Sequence, residues 1–181
     1  METKIKLKEL TFEVMIPEAQ IDQAVEVVAS KINSDYTSAQ CPIFLGVLNG
    51  SFMFMSDLLK KIELDCELSF VKLASYQGTS TTGAVKSLIG INSSIEGRDV
   101  IIVEDIVDSG NSIEHLTTIL ADYKPASVKV CTLFFKPKAY EKQIPIDYVA
   151  MEIGNEFIVG YGLDYDQLGR NLKDIYVICN E

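Results

Sequence analysis

The stretch VIIVEDIVDSGNS, residues 100–112, constrains the fold more than any other. Val100, Ile101, Ile102 and Val103 form an unbroken apolar run, and two adjacent carboxylates follow at Glu104 and Asp105. Small polar residues from Asp108 to Ser112 then lead into Ile113, Leu116 and Leu120 at helical spacing. Strand, loop and helix in that order make the half-unit of a parallel sheet. The pattern recurs in PIFLGVLNG (42–50), a buried strand entering a glycine turn, with Phe52, Met55, Leu58, Leu59 and Ile62 at helical spacing behind it. LSFVKLASY (68–76), SVKVCTLFF (127–135) and DYVAMEI (147–153) read as further strands. Pro17 suits the first turn of a helix whose apolar face is Ile21, Ala24, Val25, Val28 and Ile32, ending near NSDY. These elements predict an α/β fold, a mostly parallel sheet flanked by helices, with ligand loops at the carboxyl ends of the strands.

With 181 residues and no repeat, low-complexity tract or linker, the chain is expected to form one domain over residues 1–181, large enough to need no disulfide or metal staple. A net charge of −10 argues against a nucleic-acid partner, which calls for a basic face. An anionic small substrate stays compatible, because a bound divalent cation inverts the local electrostatics. Cys41, Cys66, Cys131 and Cys179 form no CxxC pair and no histidine cluster accompanies them, so neither a zinc site nor a disulfide framework is expected. METKIKLKELTFEVMIP lacks a signal-peptide pattern, and no apolar run approaches the roughly 20 residues of a membrane helix. The expected location is the cytoplasm, with no membrane partner.

The loop after Ile106 and Val107 carries the chemistry. Small residues around Gly110 let backbone amides converge at a helix start, and Ser109 and Ser112 add hydroxyl donors, a combination that cradles a phosphate. Neither a Walker A lysine nor GxGxxG is present, which points to a phosphate monoester. Glu104 and Asp105, acceptor-only groups just before the cradle, suit a ribose diol, directly or through a metal ion. Asp108 is placed to take or share a proton near the sugar. The same residues also suit an ordinary helix N-cap, and spacing alone does not separate the two readings.

Four stretches, in this order along the chain, resemble the purine phosphoribosyltransferases, and among them the hypoxanthine (hypoxanthine-guanine) phosphoribosyltransferases. VLNGS (47–51) is similar to that family's pyrophosphate loop, SYQGTSTTGAVK (75–86) to its mobile loop, VIIVEDIVDSGNS to its phosphoribosyl pyrophosphate signature, and FIVGYGLDYDQLGRNL (157–172) to its purine- and metal-binding segment. The resemblance implies a type I phosphoribosyltransferase fold with a small hood formed by the terminal segments. It implies that Glu104 and Asp105 contact the ribose, that Asp108 is the general base or proton relay, and that Asp108, Ser109, Gly110, Asn111 and Ser112 hold the sugar phosphate. Leu48, Asn49, Gly50, Ser75, Tyr76 and Arg170 would complete the phosphoribosyl pyrophosphate site, with a non-proline cis peptide at Leu48–Asn49. Lys136 would bind the oxygen of a 6-oxopurine, Phe157 stack on the base, Ile158 read its edge through the backbone, and Asp164 complete the purine side. Glu104, Asp105 and Asp164 would be ligands of Mg²⁺. A lysine on a carbonyl oxygen suits hypoxanthine or guanine and fits adenine poorly, since an amino group offers it no acceptor. The implied reaction transfers the phosphoribosyl group to such a base and releases pyrophosphate, in a homo-dimer or homo-tetramer.

Two departures stand out. Asn49 occupies a position where relatives often carry a lysine or arginine, and PKAYEK after Lys136 lacks an arginine some relatives have, leaving Lys138 or Lys142 as replacements. Residues 77–87 would serve as a lid. His115, Tyr161, Tyr165 and the cysteines are read as packing residues, and Lys60 and Lys61 as serving the helix dipole and solvent. Xanthine is the alternative base. An RNA-binding regulator on the same fold is the alternative class, disfavoured by the acidic charge.

Overall fold

The computed structural model describes residues 4–73 and 94–179. Its central sheet contains five strands in the order β4-β3-β5-β6-β7: β3 (Ile43–Leu48), β4 (Glu67–Lys72), β5 (Asp99–Val107), β6 (Ser127–Phe135) and β7 (Tyr148–Glu152). Every pairing in it is parallel. Such a sheet must be covered on both faces. On one face lie α1 (Glu18–Asp35) and α2 (Phe52–Leu59), on the other α3 (Asn111–Ala121). Helix α1 buries Ile21, Val25, Val28, Ala29 and Ile32, the expected stripe with Ala29 in place of Ala24. Pro17 stands just before the helix as its cap residue, with extended backbone, and not inside the first turn.

A second sheet of four strands, in the order β1-β2-β9-β8, is antiparallel and built from both ends of the chain: β1 (Lys4–Leu7), β2 (Leu10–Ile16), β8 (Ile158–Val159) and β9 (Ile175–Ile178). This is the hood. Along KIKLKELTFEVMI polar and apolar residues alternate as its half-buried hairpin requires. Phe12, Val159 and Tyr176 form its small core. Ile158, Tyr161, Leu163 and Ile175 belong instead to the large cluster under α1 and α2, so the hood packs onto the same side of the parallel sheet.

Candidate active site

Strand β5 delivers the two carboxylates. Ile101 and Val103 enter the core under α1 and α2, and Val100 and Ile102 the core under α3, as strict alternation demands. Beyond Val103 the phase slips by one, because Ile106 packs with the first group and Val107 with the second. Glu104 and Asp105 sit at the slip, and both line one cleft of about 400 Å³. Regular alternation would have pointed neighbouring side chains to opposite faces.

The pair is electrostatically costly. Burial, and then repulsion from Asp105, hold the Glu104 carboxyl well above the ordinary range. Burial also raises Asp105, and the N–H of Ile106 at 2.9 Å and the nearby Arg170 guanidinium pull it back. Asp105 is packed against the loop after β3: a Cβ on Gly50 would lie 1.6 Å from its Oδ2. In that loop the Leu48–Asn49 peptide is cis, and Leu48, Asn49 and Gly50 line the cleft. Ser51 is fully buried and donates its hydroxyl to the Val47 carbonyl at 2.6 Å.

Asp108, Ser109, Gly110, Asn111 and Ser112 line the same cleft. Gly110, at φ +86°, is the residue that caps α3, and among the described residues no side chain hydrogen-bonds to the helix start. An ordinary N-cap would have put an Asp or Ser oxygen on those amides. They are left for a ligand, and the uncapped positive end of the helix favours an anion there. Tyr140 and Lys142 close over Gly110, which has no room for a side chain, and Lys142 binds Glu114 of α3 at 2.7 Å.

The other side of the site hangs from the end of β6. Lys136 is buried, donates to the Glu156 carbonyl at 3.1 Å and stands 3.7 Å from the Asp108 carboxylate. Phe157, next to that carbonyl, keeps its ring about half exposed while Phe12 and Tyr165 flank it, with Tyr165 edge-on at 6.0 Å. Ile158 is buried in β8 opposite Val177. Arg170 lines the cleft, donates to the Gly162 carbonyl at 2.8 Å and pairs with Asp164 at 2.5 Å.

Residues 17–166 match the phosphoribosyl transferase domain family. The chain is 42% identical to the hypoxanthine phosphoribosyltransferase of Escherichia coli (strain K12), over 91% of this chain and 94% of that one. It is 41% identical to the hypoxanthine-guanine phosphoribosyltransferase of Streptococcus agalactiae, over 93% of both. A crystal structure of a hypoxanthine-guanine phosphoribosyltransferase from Bacillus anthracis superposes with a TM-score of 0.84 at 37% identity, covering 93% of this chain and 97% of that one. The chain belongs to the hypoxanthine phosphoribosyltransferase family.

Within that family frame, the structure gathers Leu48, Asn49, Gly50, Glu104, Asp105, Arg170 and the whole 108–112 loop on one cleft. It places Lys136 and Phe157 beside it through Asp108 and Glu156. Asp164 is brought to Arg170 and to the Gln167 N–H at 2.7 Å, which engage both of its carboxylate oxygens, and it does not line the cleft. Among the described residues no three His, Cys, Asp or Glu side chains converge as a metal cluster. Ser75, Tyr76 and the expected lid at 77–87 lie outside the described residues. Lys142 is committed to Glu114 and Lys138 is exposed. Lys60 and Lys61 do more than face solvent: Lys60 binds Asp57 at 2.8 Å, and Lys61 ties α2 to Asp22 and Glu26 of α1 at 2.9 and 3.0 Å. Gly162 and the Glu156 carbonyl went unrecognised in the sequence. The GYG triplet at 160–162 was the available signal for the first, whereas nothing in a sequence marks a particular carbonyl.

Proposed function

We propose that this chain transfers the phosphoribosyl group of phosphoribosyl pyrophosphate to hypoxanthine or guanine, giving IMP or GMP and pyrophosphate, as the salvage enzymes it resembles do. One observation carries the reading: the adjacent carboxyls of Glu104 and Asp105 at a strand end and an uncapped helix start line a single cleft. A sugar phosphate spans that cleft with its phosphate on the 108–112 amides and its hydroxyls on the carboxylates. The pyrophosphate goes to the Leu48–Gly50 loop and Arg170, which are the cleft's remaining polar wall. With Asn49 where relatives often carry a cation, backbone amides and Arg170 take a larger share of that group's charge.

On the base side, Phe157 offers an exposed ring face for stacking, Lys136 donates to the base's oxygen and the backbone at Ile158 faces its edge. A purine nitrogen bonds to the anomeric carbon as the bond to pyrophosphate breaks, and Asp108 receives the proton lost from the purine. The oxygen donors of Glu104 and Asp105 fit a Mg²⁺ ion, whose charge would favour the ionised carboxylates that burial disfavours, with Asp164 reaching it if Arg170 turns to the pyrophosphate. Bound there, the ion would neutralise charge on the departing pyrophosphate. We assign Ser75 and Tyr76 to the binding of phosphoribosyl pyrophosphate, and a homo-dimer or homo-tetramer as the assembly, by resemblance to the family. No helix among the described residues is long and apolar enough to cross a membrane.

The test is initial rates with phosphoribosyl pyrophosphate and Mg²⁺ against hypoxanthine, guanine, xanthine, adenine and uracil, each repeated with the metal chelated. Metal-dependent turnover of hypoxanthine or guanine is the expected result. Turnover of xanthine alone would reassign the base, and no turnover of any base by folded protein would overturn the reading.

A further inference from the structure

Tyr161 holds a backbone conformation that bulky residues rarely take. Its φ is +47°, and its neighbours Gly160 and Gly162 stand at +108° and +100°, so three consecutive residues lie in the left-handed region. Glycine does this without steric cost and tyrosine does not. A strained residue of this kind persists only where its surroundings over-determine it. Here the side chain supplies the determination. The ring is 3% exposed in the large core, and its hydroxyl donates a 2.5 Å hydrogen bond to Asp57 Oδ2 on α2. Asp57 is itself fixed by Lys60 at 2.8 Å. Burial alone would push the Asp57 carboxyl up, yet the hydrogen bonds from Lys60 and Tyr161 hold it below its ordinary value. Burial and the Asp57 carboxylate both push the Tyr161 phenol up, so it remains a donor.

What this anchor holds is the part of the C-terminal segment that meets the cleft. Gly162 approaches the loop after β3 so closely that a Cβ on it would lie 2.1 Å from the Gly50 carbonyl oxygen. Gly162 also exchanges two hydrogen bonds with Arg170: its N–H donates to the Arg170 carbonyl at 3.0 Å, and its own carbonyl accepts from the guanidinium at 2.8 Å. Helix α2, which carries Asp57, begins where the same loop ends. The contacts therefore close a ring from Gly50 through α2 to Asp57, across to Tyr161, and through Gly162 back to Gly50. Arg170 sits on that ring beside Asp105. Lys136 and Phe157 are held separately, by the Glu156 carbonyl and by Phe12 and Tyr165.

We propose that Tyr161, anchored on Asp57, is a positioning residue for the pyrophosphate side of the site, setting Gly162 and Arg170 in register with the Leu48–Gly50 loop. The proposal rests on the transferase reading above and adds to it a residue that touches no substrate. Its signature is selective: losing the clasp weakens phosphoribosyl pyrophosphate and spares the purine. The experiment measures KM for both substrates, melting temperature, and calorimetric affinity for inorganic pyrophosphate with Mg²⁺, in the wild-type chain, Tyr161→Phe, Asp57→Ala and Asp57→Asn. Tyr161→Phe and Asp57→Ala are expected to raise KM for phosphoribosyl pyrophosphate about tenfold and weaken pyrophosphate comparably. Hypoxanthine KM stays within about twofold. Asp57→Asn, whose amide oxygen still accepts from the phenol, keeps near-wild-type values, which a merely structural loss of charge would not allow. Equal changes in both KM values, or unchanged pyrophosphate affinity in Tyr161→Phe, would overturn the clasp. A wild-type chain that binds pyrophosphate but turns over no base would instead overturn the transferase reading, and the affinity series would still judge the clasp.

Discussion

Gly50→Ala isolates steric fit in the cleft from every other effect. Gly50 has no positive φ, so alanine meets no backbone penalty there. Its methyl carbon, however, would lie 1.6 Å from Asp105 Oδ2 and 2.4 Å from Cγ, where an ordinary contact is at least 3.4 Å. Either the carboxylate or the Leu48–Gly50 loop must then move by about 1.8 Å to restore contact. Asp105 cannot swing freely, because its other oxygen accepts from the Ile106 N–H at 2.9 Å. A displacement of about 1 Å of a positioned group can cost about 100-fold in rate. The expected fall in kcat/KM for IMP formation is therefore about 100-fold or more, roughly 2.7 kcal/mol of transition-state stabilisation. The assay is initial rates, with thermal melts to show that the variant is folded. Gly97→Ala is the control: at φ +69° with nothing within 4 Å, it should lower stability by about 1 kcal/mol and leave activity alone. A folded Gly50→Ala variant keeping more than about a third of wild-type kcat/KM would refute the steric argument.

Asp108→Asn is expected to lower kcat at least 100-fold, on the order of a lost general base, with an unchanged melting temperature because the side chain is 57% exposed, as steady-state rates and melts would show. Lys136→Met removes the donor to the base and to the Glu156 carbonyl, and kcat/KM for hypoxanthine should fall about tenfold to a hundredfold, measured against an adenine rate that does not fall with it. Glu104→Gln should abolish metal-dependent activity while raising the melting temperature of the ligand-free protein at neutral pH. The folded pKa of Glu104 is raised, so the wild-type chain has its full Glu104 contribution below the ordinary value of 4.5 and loses it as pH rises through the folded value. The gain from the amide must accordingly shrink as pH falls below the folded value and vanish below 4.5, which melts across a pH series would test.

The parallel sheet was readable because each strand carries its own signal. Apolar runs ending in glycine or small polar loops, with helical spacing behind them, describe buried strands in βα units whatever lies around them. The 108–112 loop was readable for the same reason, since its chemistry is local. The hood was not, beyond what family resemblance implied, because its strands pair residues from opposite ends: Phe12 lies across from Ile178 and Val14 from Tyr176. No window of sequence contains that pairing. Asp164 shows the same limit at the site. Its residue type and place in the motif suit a ligand, yet a turn amide and Arg170 engage its oxygens, and both depend on how residues 160–172 fold back on themselves.

The slip in β5 explains why two neighbouring acids can serve one ligand. In an unbroken strand, one would have entered the core under α3 and the other the core under α1 and α2, each an isolated buried charge with nothing to offset it. Strand β6 slips at the same level: Cys131 and Leu133 pack with the cluster under α1 and α2, Phe134 joins them, and Phe135 turns to the other face. Thr132, paired with Glu104, bonds its hydroxyl to the Phe134 carbonyl at 2.9 Å inside that irregularity. Paired strands that change phase together keep their ladder, with Ile106 opposite Phe134 and Val107 opposite Phe135. The sheet thus turns two side chains to one cleft with its register kept, only Asp105 and Leu133 dropping out of the ladder. Past the slip β6 runs on to Phe135, and Lys136 follows it into the space beside Asp108. Carboxylates and lysine are therefore aimed by one backbone feature shared between two strands, and a substitution restoring regular alternation in either would misplace both halves of the site at once.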